Sequence, residues 1–118
     1  MGNGTNFNLE ERTFLFAQSV RAYCKLVTHN VINVQDIKQV VRSSGSVAAN
    51  YIEANESLSK ADFIYRIKIC RKEAEETKLW LSLIDVEDRQ ELQTTKSTLS
   101  NEAFQFMLIF NSIIKKSS

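Results

Sequence analysis

The absence of proline is the feature that most restricts how this chain can fold. The sequence of 118 residues contains none, and its three glycines are Gly2, Gly4 and Gly45. Proline breaks a helix because it has no backbone N–H to donate and its ring clashes with the preceding turn. Glycine in a helix interior costs about 1 kcal/mol relative to alanine. Because only Gly45 opposes helix formation after the first few residues, we predict an all-α protein.

Length and composition are those of one globular domain. A chain of 118 residues can bury one hydrophobic core but not two. Its contents of 43% hydrophobic and 25% charged residues are ordinary for a globular protein. We therefore predict a single domain over residues 8–118 and a flexible N-terminal segment over residues 1–7.

Charge and hydropathy restrict the partners and the compartment. Acidic and basic residues alternate along the chain and leave a net charge of +1, so charge alone predicts no strong attraction to nucleic acid. The longest apolar run, residues 106–110, is far shorter than the roughly 20 residues that cross a bilayer. We expect no membrane partner and a cytoplasmic location, with Cys24 and Cys70 as buried thiols.

The spacing of apolar residues predicts the first two helices. One is predicted over residues 8–27, with Asn8 as its N-terminal cap. The second is predicted to begin from a cap within residues 33–36 and to end near Glu56. The buried face predicted for this second helix comprises Ile37, Val40, Val41, Ser44, Ala48, Tyr51 and Ile52.

Two further helices complete the predicted fold. Ser59 followed by Asp62 is a variant of the capping box, which predicts a third helix from there to about Asp85. After a polar bend at residues 86–89, a fourth helix carries apolar residues up to Ile114. Long helices joined by short connections favour an antiparallel up-down-up-down four-helix bundle.

The fourth helix has more apolar residues than one bundle core can cover. Phe104, Met107, Leu108 and Ile109 extend its apolar surface around most of its circumference. An apolar surface of this extent on a helix normally contacts a second partner. We therefore predict a homo-oligomer.

Small residues are concentrated in one stretch of the second helix. Residues 42–57 read RSSGSVAANYIEANES, and their small side chains include Ser43, Ser44, Gly45, Ala48 and Ala49. We interpret these as close-packing residues that let a neighbouring helix approach. A phosphate-binding loop is disfavoured, because it would need consecutive exposed backbone amides.

Three segments of the chain resemble a known family. Residues 42–54 (RSSGSVAANYIEA), residues 59–64 (SKADFI) and residues 72–77 (KEAEET), the last followed by Trp80 and Leu81, resemble the bacterial four-helix-bundle proteins named after the 23S rRNA intervening sequence. The resemblance covers nearly the whole chain. It implies a small antiparallel bundle that forms homopentameric rings, related to the accessory protein of diversity-generating retroelements, which works with a reverse transcriptase and nucleic acid. For most members the biochemical role is unknown.

The chain departs from the family pattern in its glycines. Relatives commonly read Arg-Ser-Gly-x-Ser-Ile-Gly-x-Asn, whereas this chain has Ser44 and Ala48 at the two glycine positions and Gly45 one residue later. The side chains stay small, but the backbone freedom of glycine is lost. This favours the close-packing interpretation.

A polar stripe on the second helix is the first candidate site. Arg42, Ser46, Asn50 and Glu53 are spaced to share one helix face, and Glu73 and Glu76 of the third helix add two carboxylates. The stripe is either a surface for a ligand or nucleic acid, or a hydrogen-bonded network in which Arg42 pairs Glu53, Glu73 or Glu76. We favour the network, because arginine suits interface ion pairs and no nucleophile lies nearby.

The same carboxylates are weak candidates for metal binding or catalysis. A metal site in a helix bundle normally combines glutamates with histidines, but the only histidine, His29, falls in a predicted loop. A general base also needs a partner that orients it. We therefore predict no metal, no cofactor and no enzymatic activity.

Basic residues on the third helix are the second candidate site. They are Arg66, Lys68, Arg71, Lys72 and Lys78. Glutamates interrupt them, which is typical of a solvated helix face, although a ring would repeat a weak patch and gain affinity through multivalency. The sequence thus predicts a non-enzymatic homo-oligomeric scaffold or adaptor. The alternative is a multivalent RNA- or DNA-binding accessory protein that acts with a nucleic-acid enzyme.

Overall fold

Four long helices make up the part of the chain that the structure describes. The computed structural model describes residues 8–118, so the flexibility predicted for residues 1–7 lies outside the described residues. The helices are α1 (Leu9–Leu26), α2 (Val31–Asn55), α3 (Lys60–Leu83) and α4 (Gln90–Ser117). Each packs against the next, and α1 also contacts α4. The predicted all-α, antiparallel up-down-up-down four-helix bundle is confirmed.

The core runs along the bundle axis and is formed by all four helices. Its aromatic centre joins α1 to α4, where the Phe16 and Phe106 rings meet edge to face at 5.3 Å. Phe106 also stacks on Phe110 at 6.0 Å. Among neighbouring helices of the bundle, contacts are most extensive between α2 and α3 and least extensive between α1 and α4. The α1–α4 edge is therefore the most open side of the bundle.

Two helix starts agree with the sequence. The Asn8 side chain accepts a hydrogen bond from Glu11 N at 3.2 Å at the start of α1. At the start of α3, Ser59 Oγ accepts one from Asp62 N at 3.0 Å. Both side chains satisfy backbone N–H groups that have no partner within the helix.

The predicted start of α2 was wrong. The helix begins at Val31, and its cap is Asn30, whose side chain accepts hydrogen bonds from Ile32 N at 3.1 Å and Asn33 N at 2.7 Å. Asn33, predicted to belong to the cap segment, is inside the helix and buried. The loop between α1 and α2 is therefore shorter than the sequence suggested.

The predicted buried face of α2 was also wrong in part. Its buried residues are Asn33, Val40, Ser43, Ser44, Val47 and Ala54. Ile37, Val41 and Tyr51 are partly buried and pack against the core as predicted, whereas Ala48 is half-buried and Ile52 is exposed. The face is rotated because α2 packs more extensively against α3 than against α1, so the residues toward α1 are left near the surface.

The last connection and helix complete the bundle. The bend between α3 and α4 includes Val86, which is buried in the core rather than solvated. α4 begins at Gln90, just before the first apolar residue of its predicted stripe, Leu92. Across residues 8–118, no helix has both the length and the apolar character needed to cross a membrane.

Candidate functional site

The polar stripe of α2 is tied to α3 by an ion pair. Arg42 Nη2 donates to Glu73 Oε1 at 3.1 Å and to Glu76 Oε1 at 3.2 Å, and Arg42 Nη1 donates to Glu73 Oε2 at 3.4 Å. The hydrogen bond to Glu73 is the largest cause that raises the pKa of the Arg42 guanidinium above its usual range. The Arg42 side chain is 50% exposed, whereas that of Glu73 is 9% exposed. The buried carboxylate is thus covered by a half-exposed cation.

A buried hydroxyl pair lies beneath this ion pair. Thr77 Oγ1 donates to the Glu73 backbone carbonyl at 2.8 Å, so the 2.7 Å contact between Ser43 Oγ and Thr77 Oγ1 is donated by Ser43. Both side chains are completely buried. The polar groups of this layer therefore satisfy one another within the chain.

The rest of the stripe forms a second, separate cluster. Asn50 Nδ2 donates to the backbone carbonyl and to Oγ of Ser46, both at 3.0 Å. Asn50 Oδ1 accepts from Arg66 Nη1 at 3.1 Å. Glu53 is exposed and, within residues 8–118, its carboxylate joins neither cluster. Of the three carboxylates considered for Arg42, the structure brings together Glu73 and Glu76 but not Glu53.

These two clusters act as a polar link between α2 and α3. The hydrogen-bonded pairs show that α2 and α3 run antiparallel. Arg42 contacts Glu73, while Asn50, later in α2, contacts Arg66, which is earlier in α3. Within residues 8–118, no group of three or more histidine, cysteine, aspartate or glutamate side chains is placed to hold a metal ion.

The small residues of α2 do not share one close-packing face. Ser43 and Ser44 are buried, whereas Ala48 is half-buried and Ala49 is exposed. The reason is geometric, because consecutive residues turn by about 100° around a helix and so point to different sides. The prediction that all of them admit a neighbouring helix is wrong for Ala49 within this chain.

Gly45 is approached by a side chain rather than by a helix backbone. Arg21 of α1 crosses to α2 and donates from Nη2 to the Val41 carbonyl at 3.2 Å. A Cβ atom at Gly45 would lie 3.1 Å from the same Nη2 atom. The neighbour that a larger residue would displace is thus the flexible end of an arginine.

The five basic residues of α3 do not form one patch. Arg66 points to α2 and binds Asn50, while Arg71 Nη1 points to α4 and donates to Asn111 Oδ1 at 2.9 Å. The Lys78 ammonium lies 6.0 Å from the centre of the Phe104 ring. Lys68 and Lys72 are exposed. The helix therefore distributes its positive charge to two neighbours and to solvent.

A second ion pair, between α1 and α4, was not predicted. Arg12 donates from Nε and Nη2 to the two carboxylate oxygens of Glu102 at 2.7 and 2.8 Å. Its guanidinium also lies 5.0 Å from the centre of the Phe106 ring, and the hydrogen bond to Glu102 raises the pKa of Arg12. The partners are 90 residues apart, so only the position of Arg12 between the apolar residues Leu9 and Phe16 hinted at this pair.

The same edge of the bundle contains an open groove. Its volume is about 410 Å³, and its walls come from the first three turns of α1 and from residues 98–102 of α4. Leu15 and Phe16 contribute apolar surface, while Arg12 and Glu102 form one wall. The groove exists because α1 and α4 pack less closely than the other neighbours.

Several buried groups have shifted acidity. Burial raises the pKa of Cys24 to about 11, that of Cys70 to about 12 and that of Tyr23 to about 12. Both cysteines are buried thiols, as predicted. Within residues 8–118, the buried side-chain atoms without a hydrogen-bond partner are the Tyr23 hydroxyl and Trp80 Nε1.

Apolar side chains remain exposed on the outer faces of α3 and α4. On α4, Phe104 is 41% exposed and Leu108 is 50% exposed. On α3, Tyr65, Leu79 and Leu83 are each at least half exposed. The prediction that α4 carries excess apolar surface applies to Phe104 and Leu108, whereas Met107 packs against the core.

These features define a small antiparallel four-helix-bundle protein whose α2 and α3 are joined by a polar link. The model of the 23S rRNA-intervening sequence protein family matches residues 5–108, and the chain belongs to that family. A solved structure similar to this chain is a protein of unknown function from the S23 ribosomal protein family of Bacteroides thetaiotaomicron VPI-5482. It is 31% identical, the match covers 92% of this chain and 99% of that chain, and the TM-score is 0.74. No protein of curated function matches this chain.

Proposed function

We propose that the protein is a non-enzymatic, homo-oligomeric scaffold or adaptor of the cytoplasm, and that it assembles as a pentameric ring. The observation that carries this proposal is the apolar outer face of α4. Phe104 and Leu108 are one helical turn apart and stay 41% and 50% exposed, although the core already contains Phe106 and Phe110 of the same helix. Covering such side chains stabilises an assembly by about 25 cal/mol per Å² of apolar area.

The chemistry of the polar link supports a structural role. Arg42, Glu73 and Asn50 are engaged in hydrogen bonds to side chains of the same chain. A catalytic site needs titratable groups that converge on a space for substrate. Here the buried carboxylate of Glu73 is instead covered by the Arg42 guanidinium, which favours a link that fixes α2 against α3.

Binding of RNA or DNA is the second candidate function. The observation in its favour is that Lys68 and Lys72 are both exposed on α3. In a ring, these lysines would be repeated once per subunit, and linked weak contacts gain affinity through multivalency. The protein would then serve as an accessory to a nucleic-acid enzyme.

Light scattering of the purified chain at physiological salt tests the scaffold proposal. We expect the mass of five chains for the native protein and a smaller mass for Leu108→Glu, because a carboxylate cannot be buried in an apolar contact without a partner. Thr94→Glu is the matched control, since Thr94 is also exposed on α4 but polar. A native protein with the mass of one chain would contradict the proposal.

The same measurement with a structured RNA decides between the two candidates. A nucleic-acid-binding ring should shift to a larger mass with RNA and release the RNA as the salt concentration rises, because phosphate contacts release counterions. A ring whose mass does not change when RNA is added supports a protein-binding scaffold.

A further inference from the structure

The face of α3 that points away from the core carries a second, regular stripe. It consists of Tyr65, Ile69, Lys72, Glu76, Leu79 and Leu83, which we call the outer stripe. Successive members are four, three, four, three and four residues apart, the spacing of the a and d positions along one side of a coiled coil. The core-facing residues of α3, such as Cys70, Ala74 and Leu81, lie on the opposite side. Tyr65, Leu79 and Leu83 are each at least half exposed.

Two copies of the outer stripe match when they run in opposite directions, because apolar residues then face apolar residues and lysine faces glutamate. From either end the stripe reads two apolar residues, a charged pair and two apolar residues, and the central pair is Lys72 and Glu76. A helix laid antiparallel against a copy of itself, with a two-fold axis at the level of residue 74, brings unlike charges together. A stripe with two lysines or two glutamates at its centre could not do this.

We propose that α3 binds α3 of a second copy of this chain through the outer stripe, in an antiparallel two-fold contact. Tyr65 then packs against Leu83 of the second copy, Ile69 packs against Leu79, and Lys72 meets Glu76. A two-fold contact makes every such pair twice, because residue i contacts residue j and residue j contacts residue i. These are also the a-to-d layers of an antiparallel pair of helices.

The charges around the stripe are compatible with this contact. Glu76 accepts from Arg42 through Oε1, and its Oε2 makes no hydrogen bond within residues 8–118. Lys68 and Glu75 flank the stripe on the side away from α2. With Lys72 and Glu76, these residues of the two copies together place four cations and four anions around the axis, so they add no net charge to the contact.

The expected affinity is low. Residues 65–83 extend about 27 Å along the helix at 1.5 Å per residue. One helix face of this length covers less than the roughly 800 Å² per partner of a standard stable interface. The contact therefore pairs chains, or pairs whole rings, at high protein concentration.

Charge reversal at the axis tests this contact. Lys72→Glu alone places two glutamates opposite each other, and Glu76→Lys alone places two lysines opposite each other, so each variant should pair at least about tenfold more weakly than the native chain. Mixed in equal amounts, the two variants meet with both charge pairs restored, and pairing should recover. Sedimentation velocity over a range of concentrations measures this, and Lys38→Glu, at an exposed position of α2, is the matched control.

Mixing separates this contact from a role of either residue within its own chain. An internal defect in Lys72→Glu or Glu76→Lys would persist in the mixture, and failure to recover would overturn the proposal. The proposal would also be overturned if Lys72→Glu and Glu76→Lys each paired as strongly as the native chain. If circular dichroism shows that a charge variant is unfolded, Leu79→Ser replaces it in the test. This substitution removes an apolar layer of the contact without changing charge, so it should weaken pairing.

Failure of this proposal and failure of the scaffold proposal give different masses. A ring of five chains that never doubles in mass with concentration overturns the α3 contact and leaves the scaffold intact. A single chain that doubles, and stops doubling in Lys72→Glu, supports the α3 contact and overturns the pentamer.

Discussion

At the scale of single residues, Arg42 shows what sequence reasoning can and cannot choose. The spacing of the polar stripe predicted a network around this arginine, and the structure pairs it with Glu73 and Glu76 rather than with Glu53. Glu53 and Arg42 are on the same helix, so the distance between them along α2 was predictable from the sequence. The choice of Glu73 depends on how α2 and α3 are aligned, which no local pattern contains.

The small residues at the centre of α2 should respond differently to enlargement. Ser44 is completely buried, so Ser44→Leu overfills the core and should lower the free energy of unfolding by about 1–3 kcal/mol. At Gly45 only the flexible end of Arg21 stands in the way. Gly45→Ala should therefore raise the free energy of unfolding by up to about 1 kcal/mol, the gain in helix propensity. Urea unfolding measures both, and equal losses in the two variants would contradict this account.

The buried thiols should make the protein sensitive to alkali. Cysteine in the unfolded chain ionises near its ordinary pKa of 9.0, whereas burial raises the pKa to about 11 for Cys24 and about 12 for Cys70. The stabilising effect is therefore complete below pH 9 and is lost as the pH rises toward the folded-state values. A chain carrying both Cys24→Ala and Cys70→Ala should lose stability less steeply than the native chain between pH 9 and pH 10.5. A constant difference between the two chains across this interval of pH would show that the thiols are not responsible.

At the scale of helices, the caps of α1 and α3 were easier to predict than the buried face of α2. Asn8 and Ser59 act as caps because their side chains satisfy nearby N–H groups, which is a local property. The rotation of α2 is not local, because it depends on the larger contact with α3. Val31 and Ile32, the first two residues of α2, are apolar but exposed.

Asn33 has a role that its sequence position did not reveal. Its buried amide donates to the Thr28 carbonyl at 3.0 Å and to the Asp85 carbonyl at 2.9 Å, and it accepts from Asp85 N at 3.0 Å. One side chain thus ties the loop before α2 to the loop after α3. A sequence pattern can mark an asparagine as a cap, but not as a bridge to a residue 52 positions away.

Removing this bridge should be costly. Asn33→Ala removes the buried amide that pairs backbone groups of both loops, and we expect the free energy of unfolding to fall by about 2 kcal/mol. Asn55→Ala is the control from the same helix, because Asn55 is exposed and its hydrogen bond to Glu10 Oε2, at 2.9 Å, lies at the surface; its effect should stay within about 0.5 kcal/mol. Thermal or urea unfolding distinguishes the two, and similar losses would mean that the bridge contributes little.

At the scale of the whole molecule, the core of the bundle is well packed, whereas parts of its outer surface remain apolar. Its core is continuous through all four helices, and its polar groups between α2 and α3 are paired within the chain. Its outer surfaces on α3 and α4 keep large apolar side chains in contact with solvent. The excess on α4 was predictable from composition around one helix. The outer stripe of α3 could be recognised only once the structure showed which face of that helix is buried in the core.

The exposed apolar faces of α3 and α4 predict that the chain assembles, and the mass of the purified native chain in solution tests this prediction. Light scattering at physiological salt should give five times the mass of one chain, with the ring disrupted by Leu108→Glu and unchanged by Thr94→Glu. A mass of one chain at every concentration would contradict the account, because the apolar side chains of α3 and α4 would then have no partner copy to cover them.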